Sequence, residues 1–281
     1  MTGTEKLQWR THAGGGHYGT LSPVEFTWAL QLAGDTDQPR ALQVLTDGRA
    51  FTAMTAEQSR LGAALRTPTV IADLVAQGDM PPCAVVYINP AHLVDSDGRA
   101  VYGHEERSYE YDSLSDQYVS FLLAEILPQV AAEVPLAGDP DLWAIGGLSS
   151  GAIASFTAAW HRPDRFGKVL SFIGSYVNIH GGHAYPSMIR KSSARPLRVY
   201  LQSGSGDLNN EHGSWPLANQ QMAAALEFRG YDHHFEFGTG GHRTDDPSRL
   251  LPDALRWLWR GWPDSTSPWN PGDERTSAYV R

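Results

Sequence analysis

Residues 142–160, LWAIGGLSSGAIASFTAAW, decide the fold. Leu142–Ile145 is a short apolar run of the kind that forms a buried strand. Ala152–Trp160 is a small-residue helical run. Between them, Gly147-Leu148-Ser149-Ser150-Gly151 fits G-x-S-x-G. A serine at such a strand-to-helix corner sits on a sharp, strained turn, and a Cβ at either flanking glycine would crowd it. At this chain's glycine and serine content, roughly 0.2 such pentapeptides would occur by chance. A glycine-rich turn would read the same in isolation, but the strand before and the helix after supply the context the motif requires. Ser149, not Ser150, is the serine with glycine two residues away on both sides.

A serine hydroxyl is a weak nucleophile unless a base takes its proton and an acid orients that base. In the chain order serine, acid, histidine, each partner follows a strand end. After the strand expected over 197–202 comes the glycine-rich loop Ser203-Gly204-Ser205-Gly206-Asp207, and after the strand expected over 233–237 a similar loop, Gly238-Thr239-Gly240-Gly241-His242. Asp207 and His242 are therefore the candidate acid and base. Glu211 and Asp232 are rival acids, though neither directly follows a strand. An oxyanion hole combines the N–H after the nucleophile with one from the loop after the third strand. Ser150 supplies the first. For the second, Thr46-Asp47-Gly48-Arg49 offers the N–H of Arg49, or alternatively that of Gly48.

Farther out, Val24–Leu32 alternates as a half-buried antiparallel strand would. Ala41–Thr46 is a short, largely apolar strand ending at Asp47-Gly48, and Cys83–Ile88 is a continuous apolar run suited to a parallel sheet covered on both faces. Residues 69–77, 114–127, 217–229 and 250–260 carry helical spacing, and 168–173 is a further strand. Strands alternating with helices predict an α/β fold with a mostly parallel central sheet and helices on both faces. The expected organisation is a single domain over 1–262 followed by a polar extension, 263–281.

With 41% hydrophobic and 19% charged residues, the 281-residue chain has ample core material, which excludes a disordered or fibrous protein. A net charge of −9 with no basic run argues against nucleic-acid or membrane-surface partners. Cys83 stands alone, so no intrachain disulfide forms. His180 and His183 are spaced H-x-x-H but lack a third ligand nearby, so no metal is expected. The opening MTGTEKLQWRTHAGGG has no apolar core of a secretory signal, and a cytoplasmic protein is the expectation. Oligomeric state leaves no trace in the sequence.

Val44–Arg260 resembles the enterochelin esterase-like branch of the esterase D superfamily. The resemblance rests on LTDG at 45–48, Asn89-Pro90 after a strand, Arg107 with Glu110 and Tyr111, and ILPQV at 126–130. It continues through GLSSG, HRPDRFGKVLSFIGS at 161–175, and 201–242 closing on GTGGH. It implies an α/β-hydrolase and a carboxylic-ester hydrolase needing no metal or organic cofactor. The implied triad is Ser149, Asp207 and His242, acting on a small-molecule ester through an acyl-enzyme. The family includes siderophore trilactone esterases. Feruloyl and acetyl-xylan esterases and mycolyltransferases are more distant relatives, so acyl transfer through the same triad is the alternative activity. Arg107, Glu110 and Tyr111 are candidate pocket residues, with an internal ion pair that fixes the loop as the competing role. Trp215 is a candidate wall of the site or an ordinary packing tryptophan.

Overall fold

The computed structural model describes residues 7–14, 24–59, 61–94, 97, 100–101 and 106–262; the expected extension 263–281 lies outside the described residues. Among them the strands are β1 (Trp9–Ala13), β2 (Val24–Ala33), β3 (Ala41–Thr46), β4 (Cys83–Ile88), β5 (His92–Val94), β6 (Ala100–Val101), β7 (Trp143–Leu148), β8 (Lys168–Phe172), β9 (Arg198–Gly206), β10 (Asn209–Asn210), β11 (Gly213–Ser214) and β12 (Asp232–Gly241). The α-helices are α1 (Gly48–Thr52), α2 (Ala56–Ser59), α3 (Thr67–Gln77), α4 (Glu106–Asp112), α5 (Gln117–Phe121), α6 (Leu127–Glu133), α7 (Ser150–His161), α8 (Tyr185–Lys191), α9 (Trp215–Phe228) and α10 (Asp245–Trp259).

The large sheet runs β12-β9-β8-β7-β3-β4-β2-β5-β6, with β1 paired to β2. β12 through β4 are mutually parallel, while β2 joins β4 antiparallel. This is the mostly parallel α/β sheet the alternating elements predict. Every residue of β3 and β4 is buried; β4 accordingly reads as an unbroken apolar run, whereas β3 also buries Gln43 and Thr46. On one face Val44, Val86, Ile145, Val169 and Leu201 pack with Phe121, Phe156 and Met222 from the covering helices. On the other, Leu45, Val85, Leu148, Leu170 and Phe172 meet Ile71 of α3 and Leu255 of α10.

Two local expectations change. The helix expected over 114–127 instead runs from Gln117 to Glu133 and widens into a π turn at Leu122–Ile126. Pro128 has no N–H to give back to the preceding turn, so the helix loosens there without breaking. The glycine-rich segments after residues 202 and 237 are not loops. β9 continues to Gly206 and β12 to Gly241, with an irregularity between Gly238 and Gly241. A side chain on Gly204 would overlap the Gly240 backbone, so the glycines let the two strands stay paired to their ends. Among the described residues, no helix is long and apolar enough to cross a membrane.

Candidate active site

Ser149 occupies the corner between β7 and α7 with φ 56° and ψ −122°, a region side chains rarely adopt. Its N–H donates to the Phe172 carbonyl at 3.0 Å, and its carbonyl accepts the Ala152 N–H at 3.0 Å, so the strained turn is held from both sides. Thr46, at the end of neighbouring β3, lies over both glycines of the motif. Its Oγ donates toward the Gly146 and Gly151 carbonyls at 3.2 and 3.0 Å. A Cβ on Gly147 would overlap Thr46 Oγ1 and the backbone of Gly151, and a Cβ on Gly151 would overlap the same threonine. Gly147→Ala is therefore expected to destabilise the fold by about 3 kcal/mol, since backbone surrounds the new methyl on one side. A lowered urea midpoint checks this. An unchanged midpoint would mean the elbow has room that the geometry denies it.

Parallel pairing brings the other two residues to the serine. Gly206 of β9 is in register with Gly241 of β12, so Asp207 and His242 each follow at adjoining strand ends. His242 Nδ1 lies 2.6 Å from Asp207 Oδ1, and His242 Nε2 lies 2.8 Å from Ser149 Oγ. The Asp207 side chain is fully enclosed. Its Oδ1 also accepts the Leu208 N–H at 2.7 Å, and its Oδ2 accepts the Ser203 hydroxyl at 3.3 Å. Surrounded by donors, the carboxylate takes the Nδ1 proton's hydrogen bond and leaves Nε2 bare toward Ser149. That arrangement can remove the serine proton in one step. The rival acids are elsewhere: Glu211 is exposed, and Asp232 pairs with Arg198 at 2.8 Å and with Arg260.

Ser150 opens α7, where first-turn N–H groups have no acceptor within the helix. Arg49 departs from expectation. Its N–H donates to Asn89 Oδ1 at 2.9 Å, and its guanidinium lies 4.7 Å from the Trp9 ring centre. The donor assigned to the oxyanion is thus already committed, because Asn89, anchored to Thr27 Oγ1 at 2.8 Å, reaches across from the end of β4.

The three pocket candidates on α4 also resolve differently. Arg107 pairs with Asp47, not Glu110, through two bonds of 2.9 and 2.6 Å, and its guanidinium lies 5.3 Å from the Tyr111 ring centre. Glu110 is buried, its Oε2 accepting the Ala91 N–H at 2.9 Å, and Tyr111 is wholly enclosed. Neither can line an open pocket; both tie α4 to the sheet. Trp215 at the start of α9 is buried, its ring edge-on to His242 at 5.8 Å. Sequence reasoning passed over Ser175, whose Oγ lies 3.1 Å from Ser149 Oγ. Its position just past the end of β8, beside the strand that carries Ser149, was the available signal. Asp112, buried near Ser150, was missed as well; burial raises its carboxyl above the ordinary 3.8, offset in part by the Ser150 and Ser108 hydroxyls.

Burial lifts the Glu110 carboxyl well above its ordinary 4.5, outweighing the Ala91 hydrogen bond, with nearby Asp47 adding to the rise. Below about 4.5 the group is protonated in both folded and unfolded chains, and its contribution is fully present. As pH rises from there, the unfolded chain ionises first and stability falls toward the folded value. Glu110→Gln removes this titration. Its unfolding free energy is expected to fall less steeply than wild type from pH 4.5 upward, read from urea midpoints at several pH values. Parallel curves would contradict the assignment. Among the described residues, no cluster of three or more His, Cys, Asp or Glu side chains is arranged to hold a metal.

This geometry has relatives. Residues 35–258 match the Esterase family, described as "Putative esterase". The iron(III) enterobactin esterase of Dickeya dadantii is 29% identical over 253 residues, covering 83% of this chain and 51% of the relative. The enterobactin esterase of Shigella flexneri, solved in the presence of enterobactin, superposes with a TM-score of 0.71 at 22% identity, over 91% of this chain and 59% of that one. The ferulic acid esterase AmCE1/Fae1A of Anaeromyces mucronatus gives a TM-score of 0.60 at 15% identity, over 91% and 92% of the two chains. The chain spans about half the length of the curated relatives it matches. Its fold is the α/β-hydrolase fold the resemblance implied. By a family match that covers most of its length, the chain belongs to the Esterase family.

Proposed function

We propose that this protein is a serine carboxylic-ester hydrolase with Ser149 as nucleophile, His242 as general base and acid, and Asp207 as the residue that orients and stabilises the imidazole. The observation that carries the reading is the continuous hydrogen-bonded path from Ser149 Oγ through His242 at 2.8 Å to Asp207 at 2.6 Å. His242 takes the serine proton as Oγ attacks the ester carbonyl, then passes it to the leaving alcohol. Water repeats the sequence on the acyl-enzyme. The N–H of Ser150, at the positive end of α7, faces the developing oxyanion in this reading. With the Arg49 N–H bonded to Asn89, the second donor is the substrate's to win from Asn89 or comes from elsewhere in the 46–49 turn.

Membership of the Esterase family supports ester hydrolysis, and the enterobactin esterase relatives favour siderophore-type esters of the catecholate trilactone class. The test is a substrate panel: p-nitrophenyl esters of increasing chain length, feruloyl esters and a catecholate trilactone, with free acid measured against transester in the presence of an added alcohol. Highest kcat/KM on the trilactone, yielding free acid, is the expected result. A product that is mainly transester would make the protein an acyltransferase, and a short-chain preference would remove the siderophore-type substrate.

A further inference from the structure

Ser175 is 1% exposed and touches the nucleophile twice. Its N–H donates to the Ser149 carbonyl at 3.2 Å, and the two hydroxyl oxygens are 3.1 Å apart. The same Ser175 Oγ accepts the Trp215 indole N–H at 3.1 Å. An indole N–H only donates, whereas a hydroxyl has one proton and two lone pairs. With one Ser175 lone pair given to Trp215, its proton is the group that meets Ser149 Oγ. Ser149 is not the donor in that contact, because its own proton faces His242 Nε2 at 2.8 Å. Donors therefore run one way, from Trp215 through Ser175 and Ser149 to His242 and Asp207.

From this one-way chain we infer that Ser175 is a further catalytic residue. Its hydroxyl, polarised by the Trp215 indole, donates a hydrogen bond to the Ser149 oxygen as negative charge gathers there. The inference rests on the reading of Ser149 as nucleophile. In acylation the Ser149 O–H bond breaks, its proton goes to His242 Nε2, and the freed pair on Oγ forms the bond to the carbonyl carbon. The carbonyl π pair moves onto its own oxygen, then returns as the alcohol leaves with the His242 proton. In deacylation, water gives a proton to His242 and attacks. The bond from carbon to Ser149 Oγ breaks with its pair on Oγ, which takes the proton back. Ser175 keeps its own proton throughout. It serves the two moments when Oγ is most negative, as the proton leaves and as the acyl group departs. Hydrogen bonds to charged acceptors are stronger than to neutral ones, so the donation favours transition state over ground state.

Ser175→Ala is expected to lower kcat on a p-nitrophenyl ester by about 10- to 100-fold, the scale of a hydrogen bond to a charged group. KM should stay within about twofold, and organophosphonate labelling of Ser149 should slow by a similar factor to kcat. Ser175→Ala also strands the Trp215 N–H in a buried site and lowers the Tm. Adding Trp215→Phe to it removes the stranded group, so the double variant carries the test even where the single one folds poorly. In the double variant the Tm recovers and kcat does not; Ser175→Thr, which keeps the hydroxyl, restores turnover. Full activity in Ser175→Ala, or recovery of kcat along with Tm in the double variant, would overturn the proposal in favour of a structural role. Ser149→Ala run alongside separates the two readings. If it still turns over, the nucleophile is misassigned; if it is dead while Ser175→Ala is at full rate, only Ser175 is.

Discussion

Ser149→Ala is expected to lower kcat by about 10⁴- to 10⁶-fold while the urea midpoint stays close to wild type. The magnitude follows from the chemistry: alanine leaves no atom to form the acyl-enzyme, and the remaining backbone donors and binding contacts give only weak catalysis. The fold should hold because alanine has the same Cβ as serine, so the strained turn at φ 56° is neither eased nor worsened. Labelling by an organophosphonate, followed by mass spectrometry, should disappear with the hydroxyl. Ser150→Ala is the matched control. It keeps the backbone N–H at the start of α7 and removes only a hydroxyl that serves Asp112, so turnover should remain within about tenfold. The opposite pattern, with Ser150→Ala dead and Ser149→Ala active, would mean the register of the motif is wrong by one residue.

The second large effect is expected at Asp207. Replacing it by asparagine should reduce kcat by about 10³- to 10⁴-fold with little change in KM. Asparagine is nearly the same shape, so the Leu208 N–H keeps an acceptor, but the negative charge that stabilises the imidazolium is gone. An asparagine turned the other way would present N–H to Nδ1, placing the ring proton on Nε2, where it blocks transfer from Ser149. Glu211→Gln, altering an exposed side chain, should leave the rate unchanged. Near-normal turnover in Asp207→Asn would sink the acid assignment, whatever the hydrogen-bond distances.

Much of this molecule is written locally. Ala41–Thr46 and Cys83–Ile88 are strands with the bounds the sequence predicts, and Cys83–Ile88 is apolar throughout because a strand covered on both faces needs apolar side chains on both. The strand, tight turn and helix around Ser149 are equally legible, since the glycines at 147 and 151 answer to a steric demand within a few residues. The positions of Asp207 and His242 followed from one general rule, that chemistry gathers where parallel strands end.

What the sequence could not decide is whatever depends on a partner far along the chain. The Arg49 N–H looked free because Asn89, which takes it, lies 40 residues later. Arg107 looked ready for a pocket or for Glu110, yet Asp47, 60 residues earlier, holds it. Glycine-rich stretches read as loops because nothing near them shows that two backbones must press together there; the register of β9 against β12 makes them strand. Ser175 gives no sign of its role in a stretch that reads SFIGS, since Ser149 and Trp215 meet it only when β7, β8 and α9 are assembled. Periodicity and turn chemistry act over a few residues and leave their mark in the order of the chain. A hydrogen bond needs its donor and acceptor within about 3 Å in space, and that closeness exists only once the sheet has formed.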